Sequence, residues 1–237
     1  MTCLLLLRGG SFSTNNYRGY MALGLFMALN QSLFYSAINY TNVANVTVIH
    51  SLVVIPTLVL APRKLSGEVT WRDVIWIIAA VLGVAFVVYG SSITPVWSLK
   101  GDILAGVGLF GSTAIFIISK MNRQKEGVLE YLAPAMLLGA IAATLLVVLS
   151  GTAIDLHSTN NVLILLLFSI VDSSALLLLN WSHGHIKLWV SASLMSLVPV
   201  VAASAAFVVL GEPILAWQVL GMITVIIAIR KIAVANS

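Results

Sequence analysis

Ser51-Leu-Val-Val-Ile-Pro56 recurs as Ser196-Leu-Val-Pro199, 145 residues later. Each copy is followed by an apolar stretch, then a glutamate (Glu68, Glu212), a tryptophan (Trp71, Trp217) and another apolar segment. The identity is thin: three consecutive matches, then a proline displaced by two positions. What the repeat means depends on the direction in which each copy runs.

Of the 237 residues, 60% are hydrophobic and 8% charged, and the mean hydropathy is +1.06. A soluble domain carries about one quarter charged residues, because its surface has to be solvated. With so few charges, this surface can be covered only by lipid. The single cysteine, Cys3, excludes a disulfide framework and a cysteine-based metal site.

Eight segments are long enough to span a bilayer: roughly 19–38, 43–61, 72–90, 101–119, 128–150, 161–181, 187–210 and 213–232. The separators are short and hold turn formers or charges, as in Ala61-Pro-Arg-Lys64 and Gly211-Glu-Pro213. A membrane barrel would need alternating segments of about ten residues, which are absent. The expected fold is an all-α integral membrane bundle.

Charge then orients the chain. With the N-terminal stub, residues 8–18, placed in the cytoplasm, eleven of the twelve basic residues fall on that side, and only Lys100 falls opposite. The isoelectric point near 9.4 thus needs no polyanionic partner, and both termini are expected in the cytoplasm. The two Ser-Leu-Val copies lie in the second and seventh segments, five apart, so they cross in opposite senses. Asn30-Gln31-Ser32 in the first segment and Asp172-Ser173-Ser174 in the sixth form a second pair at the same offset. Inverted repeats of this kind build secondary transporters, with substrate held between the halves near the bilayer midplane.

Asp172 is the most costly residue, since a carboxylate near the bilayer centre costs about 3 kcal/mol on insertion scales. It reads either as a substrate contact or proton-coupling group, or as a structural acid bonded to Asn30 or Gln31. His50 shares a helical face with Thr47 and Ser51 and suits proton linkage or polar recognition. The alternative is a neutral histidine bonded to a carbonyl freed by Pro56. Candidate substrate contacts are Asn30, Gln31, Tyr35, His50, Asp172, Ser173 and Ser196, with Asp172 and His50 as proton-coupling groups. Pro56 and Pro199 are expected to kink their helices at corresponding depths, and interrupted helices in matching positions point to a binding site.

Gly106-Val-Gly-Leu-Phe-Gly111 matches a dinucleotide fingerprint, but it sits inside an apolar segment rather than after a strand. Its glycines read as close helix packing. His183-Gly-His185 offers too few ligands for a closed metal site. Paired carboxylates, nucleophile triads and metal-ligand clusters are absent from the sequence, so no enzyme, metal or cofactor is expected.

Tyr35-Ser-Ala-Ile-Asn-Tyr-Thr41 leading into Ser51 to Pro56, and Gly211-Glu-Pro-Ile214 with Trp217 and Gly221, resemble the EamA-type branch of the drug/metabolite transporter superfamily, from about residue 19 to 232. The resemblance implies ten helices in two inverted five-helix halves, cytoplasmic termini and alternating access around a central cavity. Against that pattern, residues 1–93 form a partial first repeat of three helices plus a stub. Residues 94–237 form a complete second repeat of five. Met1 to Leu7 resembles the end of a missing second helix, so about eight spanning helices of an expected ten are present. The resemblance implies a multi-pass exporter of a small metabolite or drug in the cell membrane. The alternative is a truncated, non-transporting membrane protein or assembly partner that keeps the fold. No lysine or arginine is expected near the bilayer centre, which favours a polar, zwitterionic or cationic solute over a multiply anionic one. The expected partners are the lipid bilayer and a small-molecule solute, with a homodimer as a possible assembly and no nucleic acid.

Overall fold

Every strongly apolar segment forms a helix in the computed structural model, which describes residues 16–41, 43–91, 98–151, 159–211 and 213–236. Met1 to Leu7 with Cys3, the stub residues 8–15 with Arg8, and the repeat glutamate Glu212 lie outside the described residues. The helices are α1 (Tyr17–Ile38), α2 (Val43–Ser51), α3 (Val54–Leu60), α4 (Arg63–Ser66), α5 (Trp71–Ser91) and α6 (Leu99–Arg123). They continue with α7 (Val128–Leu149), α8 (Thr159–Ser182), α9 (Leu188–Ser193), a 3-10 turn (Leu194–Leu197), α10 (Val198–Leu210) and α11 (Ala216–Ala235). Among the described residues, seven spans are long and apolar enough to cross a membrane, and an eighth, Asn45–Leu60, is shorter and interrupted. Only helices and closed barrels satisfy their backbone in lipid, and among the described residues the chain uses helices alone.

The chain divides into two compact units: residues 1–29 with 118–185, and residues 30–117 with 186–237. Two of the divisions fall inside α1 and α6 and the third between α8 and α9, so each unit joins two separate stretches of the chain.

In the first unit, α7 and α8 form a hairpin joined near its charged end by Tyr131, whose hydroxyl donates to Asn180 Oδ1 at 2.9 Å. Both residues are fully buried. A glycine contact seats α1 on α7, since a Cβ on Gly24 would lie 2.4 Å from the Ala135 carbonyl oxygen. The Lys120 ammonium donates to the His183 carbonyl, and the Tyr20 hydroxyl to the Glu126 carboxylate. None of the most apolar window of α8 is buried, so Leu163 to Leu167 form a surface suited to lipid.

In the second unit, α5 and α11 run antiparallel in contact along their length. A Cβ on Gly83 would lie 2.9 Å from the Gly221 carbonyl oxygen, and a Cβ on Gly221 would lie 2.8 Å from the Val87 nitrogen. One end of the pair is tied by Asn236, which donates to Asp73 Oδ1 at 3.1 Å and accepts from the Lys187 ammonium at 2.9 Å. Asp73 Oδ2 in turn accepts from both the backbone N–H and the hydroxyl of Thr70 at 2.8 Å. Val84, Val87, Val225 and Ile232 fill the seam.

The two Ser-Leu-Val segments are both broken, and in the same way. Proline has no N–H for the carbonyl four residues back, and its ring crowds that carbonyl. For Pro56 the carbonyl belongs to Leu52, which accepts instead from Ile55 N at 2.9 Å. For Pro199 it belongs to Met195, which accepts instead from Val198 N. The helix therefore tightens one turn before each proline, separating α2 from α3 and creating the 3-10 turn between α9 and α10. The leading piece α2 packs against the trailing piece α10 and the 3-10 turn, and α3 packs against α9. That pattern is antiparallel, as the opposite senses derived from charge require.

Candidate functional site

The second unit brings two of the expected residues together and adds a third. Asn30 on α1 donates through Nδ2 to Ser112 Oγ on α6 at 3.1 Å, and Ser112 Oγ lies 3.4 Å from His50 Nδ1 at the end of α2. Phe34, one turn beyond Asn30, meets the His50 ring edge-on at 4.9 Å and 89°. The ring is thus held by a hydroxyl and an aromatic edge rather than by a carbonyl freed at Pro56. Two atoms of the cluster, Asn30 Oδ1 and His50 Nε2, are buried without a protein partner among the described residues.

Glycine makes the cluster fit. A Cβ on Gly111 would lie 2.8 Å from Asn30 Oδ1, and one on Gly108 would lie 3.1 Å from His50 Nε2, whereas Gly106 faces open space. The last two glycines of the false dinucleotide motif therefore admit polar side chains to the surface of α6. Ser112 follows directly.

A cavity of about 290 Å³ lies beside the broken helices, lined by Thr47, Val87, Pro199, Ala203, Pro213 and Gln218 among others. Among the described residues its lining is apolar apart from Thr47 and Gln218, and includes no charged side chain. Thr47 donates to the Val43 carbonyl at 2.7 Å, and Gln218 Oε1 accepts the Leu215 N–H at 2.8 Å. Pro56 lines a separate, wholly apolar groove of about 360 Å³ with Leu52, Val59 and Phe110.

The other expected contacts have their own surroundings. Gln31, one residue past Asn30, turns to the exposed side of α1, and Tyr35 is half exposed. Ser196 is buried in the 3-10 turn, its hydroxyl without a protein partner among the described residues. Asp172 is exposed and Ser173 half-buried on α8, in the first unit. His183 and His185 have separate surroundings: His185 stacks on Trp181 at 4.1 Å, while His183 is buried beside Lys120. Burial, reinforced by the Lys120 ammonium, pushes the His183 imidazole down to about 3. Ser112 and Gln218 were missed in the sequence, and Gly108 and Gly111 were read there only as packing residues. The recurrence of Val81-Leu-Gly83 as Val219-Leu-Gly221 would have located the α5–α11 contact.

The profile of the EamA-like transporter family matches residues 1–89 and 99–233. The chain is 27% identical over 222 residues to the "Uncharacterized transporter YyaM" of Bacillus subtilis (strain 168), covering 90% of this chain and 72% of the relative. A crystal structure superposes with a TM-score of 0.76 over 99% of this chain and 84% of the other. At 11% identity that likeness speaks for the fold alone.

Proposed function

The chain belongs to the EamA-like transporter family, and we propose that it exports a small polar, zwitterionic or cationic solute by alternating access in exchange for a proton. The observation that carries this reading is the matched pair of broken helices. Interrupted helices at corresponding positions of two inverted halves mark the substrate site where the halves meet. Here both breaks, at Leu52–Val53 and Leu194–Leu197, lie in one compact unit, which also holds a cavity of about 290 Å³ lined by Thr47 of α2 and Pro199 of α10. That volume is near the lower end of small-molecule sites, which start at about 300 Å³.

The substrate class follows from charge. A phosphorylated solute would need cations to offset it, and neither the cavity lining nor the Asn30–Ser112–His50 cluster supplies one. The proton is carried by Asp172 or His50. Among the described residues the side chains that touch His50, Phe34 of α1 and Ser112 of α6, are uncharged. The halves meet near residue 93, between the two stretches that the family profile matches, and the termini face the cytoplasm of a plasma or inner membrane.

The test is solute efflux from proteoliposomes at equal and at unequal pH across the bilayer. A pH gradient should accelerate efflux, and His50→Gln or Asp172→Asn should remove that acceleration. Gradient-independent efflux would overturn the proton exchange. Loss of folded protein in both variants, checked by size-exclusion profile, would return the two residues to a structural role.

A further inference from the structure

The hydrogen bonds around Ser112 fix what the rest of the cluster can offer. A serine hydroxyl has one proton to give and two lone pairs to accept with. Its oxygen takes the Asn30 amide proton, which leaves its own proton free to be given to His50 Nδ1, 3.4 Å away, in the Nε2–H tautomer of the ring. A neutral imidazole that accepts at one nitrogen carries its proton on the other. Nε2 is therefore a donor, and it lies buried without a protein acceptor among the described residues. Asn30 Oδ1 is a buried acceptor in the same condition. One point on α6 lies near both: the position of a Gly108 Cβ is 3.1 Å from His50 Nε2 and 3.6 Å from Asn30 Oδ1. Leaving such groups unpaired costs about 1–3 kcal/mol each, so the pair favours a guest that satisfies both.

We propose that Asn30, His50 and the glycine face of α6 form a niche for one O–H group, which accepts from His50 Nε2–H and donates to Asn30 Oδ1. With Ser112 it closes a ring of four hydrogen bonds: Asn30 to Ser112, Ser112 to His50, His50 to the guest and the guest to Asn30. Ser112 is a positioning residue, because it selects the histidine tautomer rather than touching the guest. Gly108 and Gly111 set the size of the niche. The O–H group belongs either to water or to a hydroxyl of the transported solute. The second source rests on the transport reading above, and the first does not.

The test is nitrogen NMR of the full chain, labelled with ¹⁵N-histidine, in lipid nanodiscs. His50 is expected as the Nε2–H tautomer, with that proton in contact with an exchangeable O–H. Ser112→Ala should shift His50 to a mixture of tautomers while the thermal midpoint and the other histidine signals hold. Gly108→Ala should keep the tautomer and lose the O–H contact. Adding L-serine or L-alanine separates the sources. Displacement of the water contact by L-serine alone identifies a solute hydroxyl, and displacement by neither identifies water; both outcomes support the niche. An Nδ1–H tautomer in the wild-type protein, a tautomer unchanged in Ser112→Ala, or an O–H contact retained in a folded Gly108→Ala variant would overturn it. Because none of these readouts involves flux, absence of transport would count against the proposed function and leave the niche standing.

Discussion

Gly221→Ala is the sharpest probe of the α5–α11 pairing. A methyl at that position would lie 2.6 Å from the Gly83 carbonyl oxygen, 2.8 Å from the Val87 nitrogen and 2.9 Å from Phe86 Cβ. Two of these are backbone atoms and cannot rotate away, so the helices must part along a seam that Val84, Val87 and Val225 now fill. Overpacking of this kind costs about 1–3 kcal/mol, and alanine returns about 1 kcal/mol of helix propensity. The net expectation is a loss of up to about 2 kcal/mol. Gly106→Ala is the matched control, because no atom lies within 4 Å of its Cβ position. It should be neutral or stabilising by up to about 1 kcal/mol. Reversible unfolding in mixed micelles of increasing dodecyl sulfate content measures both. Equal stability of the two variants would refute backbone contact between α5 and α11.

Three further outcomes follow from buried polar groups. His183, held neutral down to about 3 in the folded chain, protonates near 6.5 once unfolded. The unfolded state therefore binds the proton first: stability is fully present above pH 6.5 and falls by about 1.4 kcal/mol per pH unit below it. His183→Gln should flatten that slope between pH 6.5 and 5 in thermal melts, and an unchanged slope would contradict the assignment. Asn236→Ala removes one partner from Asp73 and one from Lys187, and should cost about 1–3 kcal/mol. In Asp73→Asn the same substitution should cost less, as a double-mutant cycle would reveal. Tyr131→Phe leaves Asn180 Oδ1 buried without its hydroxyl partner, and should lower stability by about 1–3 kcal/mol in the same unfolding assay.

The helices were legible because a bilayer imposes about 20 apolar residues on each span, and that length survives any uncertainty about packing. The breaks were legible only in part. Pro56 and Pro199 announce a missing donor, but the tightened turn appears at the carbonyl each proline abandons, Leu52 and Met195. Cost alone ranks Asp172 first among the polar residues, yet it is exposed on α8, while the cluster in the second unit is built from uncharged groups. Ser112 escaped notice because a hydroxyl among apolar residues carries little insertion penalty, and its partners Asn30 and His50 lie 82 and 62 residues away in sequence. Gly108 and Gly111 were visible as small residues, but what they admit depends on which helix faces them. Asn180 belongs to a sequon, and its burial against Tyr131 gives it a packing role instead.

The most direct measurement is the transient current from the full chain in proteoliposomes on a solid-supported membrane, as zwitterionic, cationic and neutral polar solutes are added in turn. A saturable current is expected for at least one of these classes and for no phosphorylated solute. His50→Gln should abolish it while the protein remains folded. A current that His50→Gln leaves intact, or one evoked by phosphorylated solutes alone, would contradict the account.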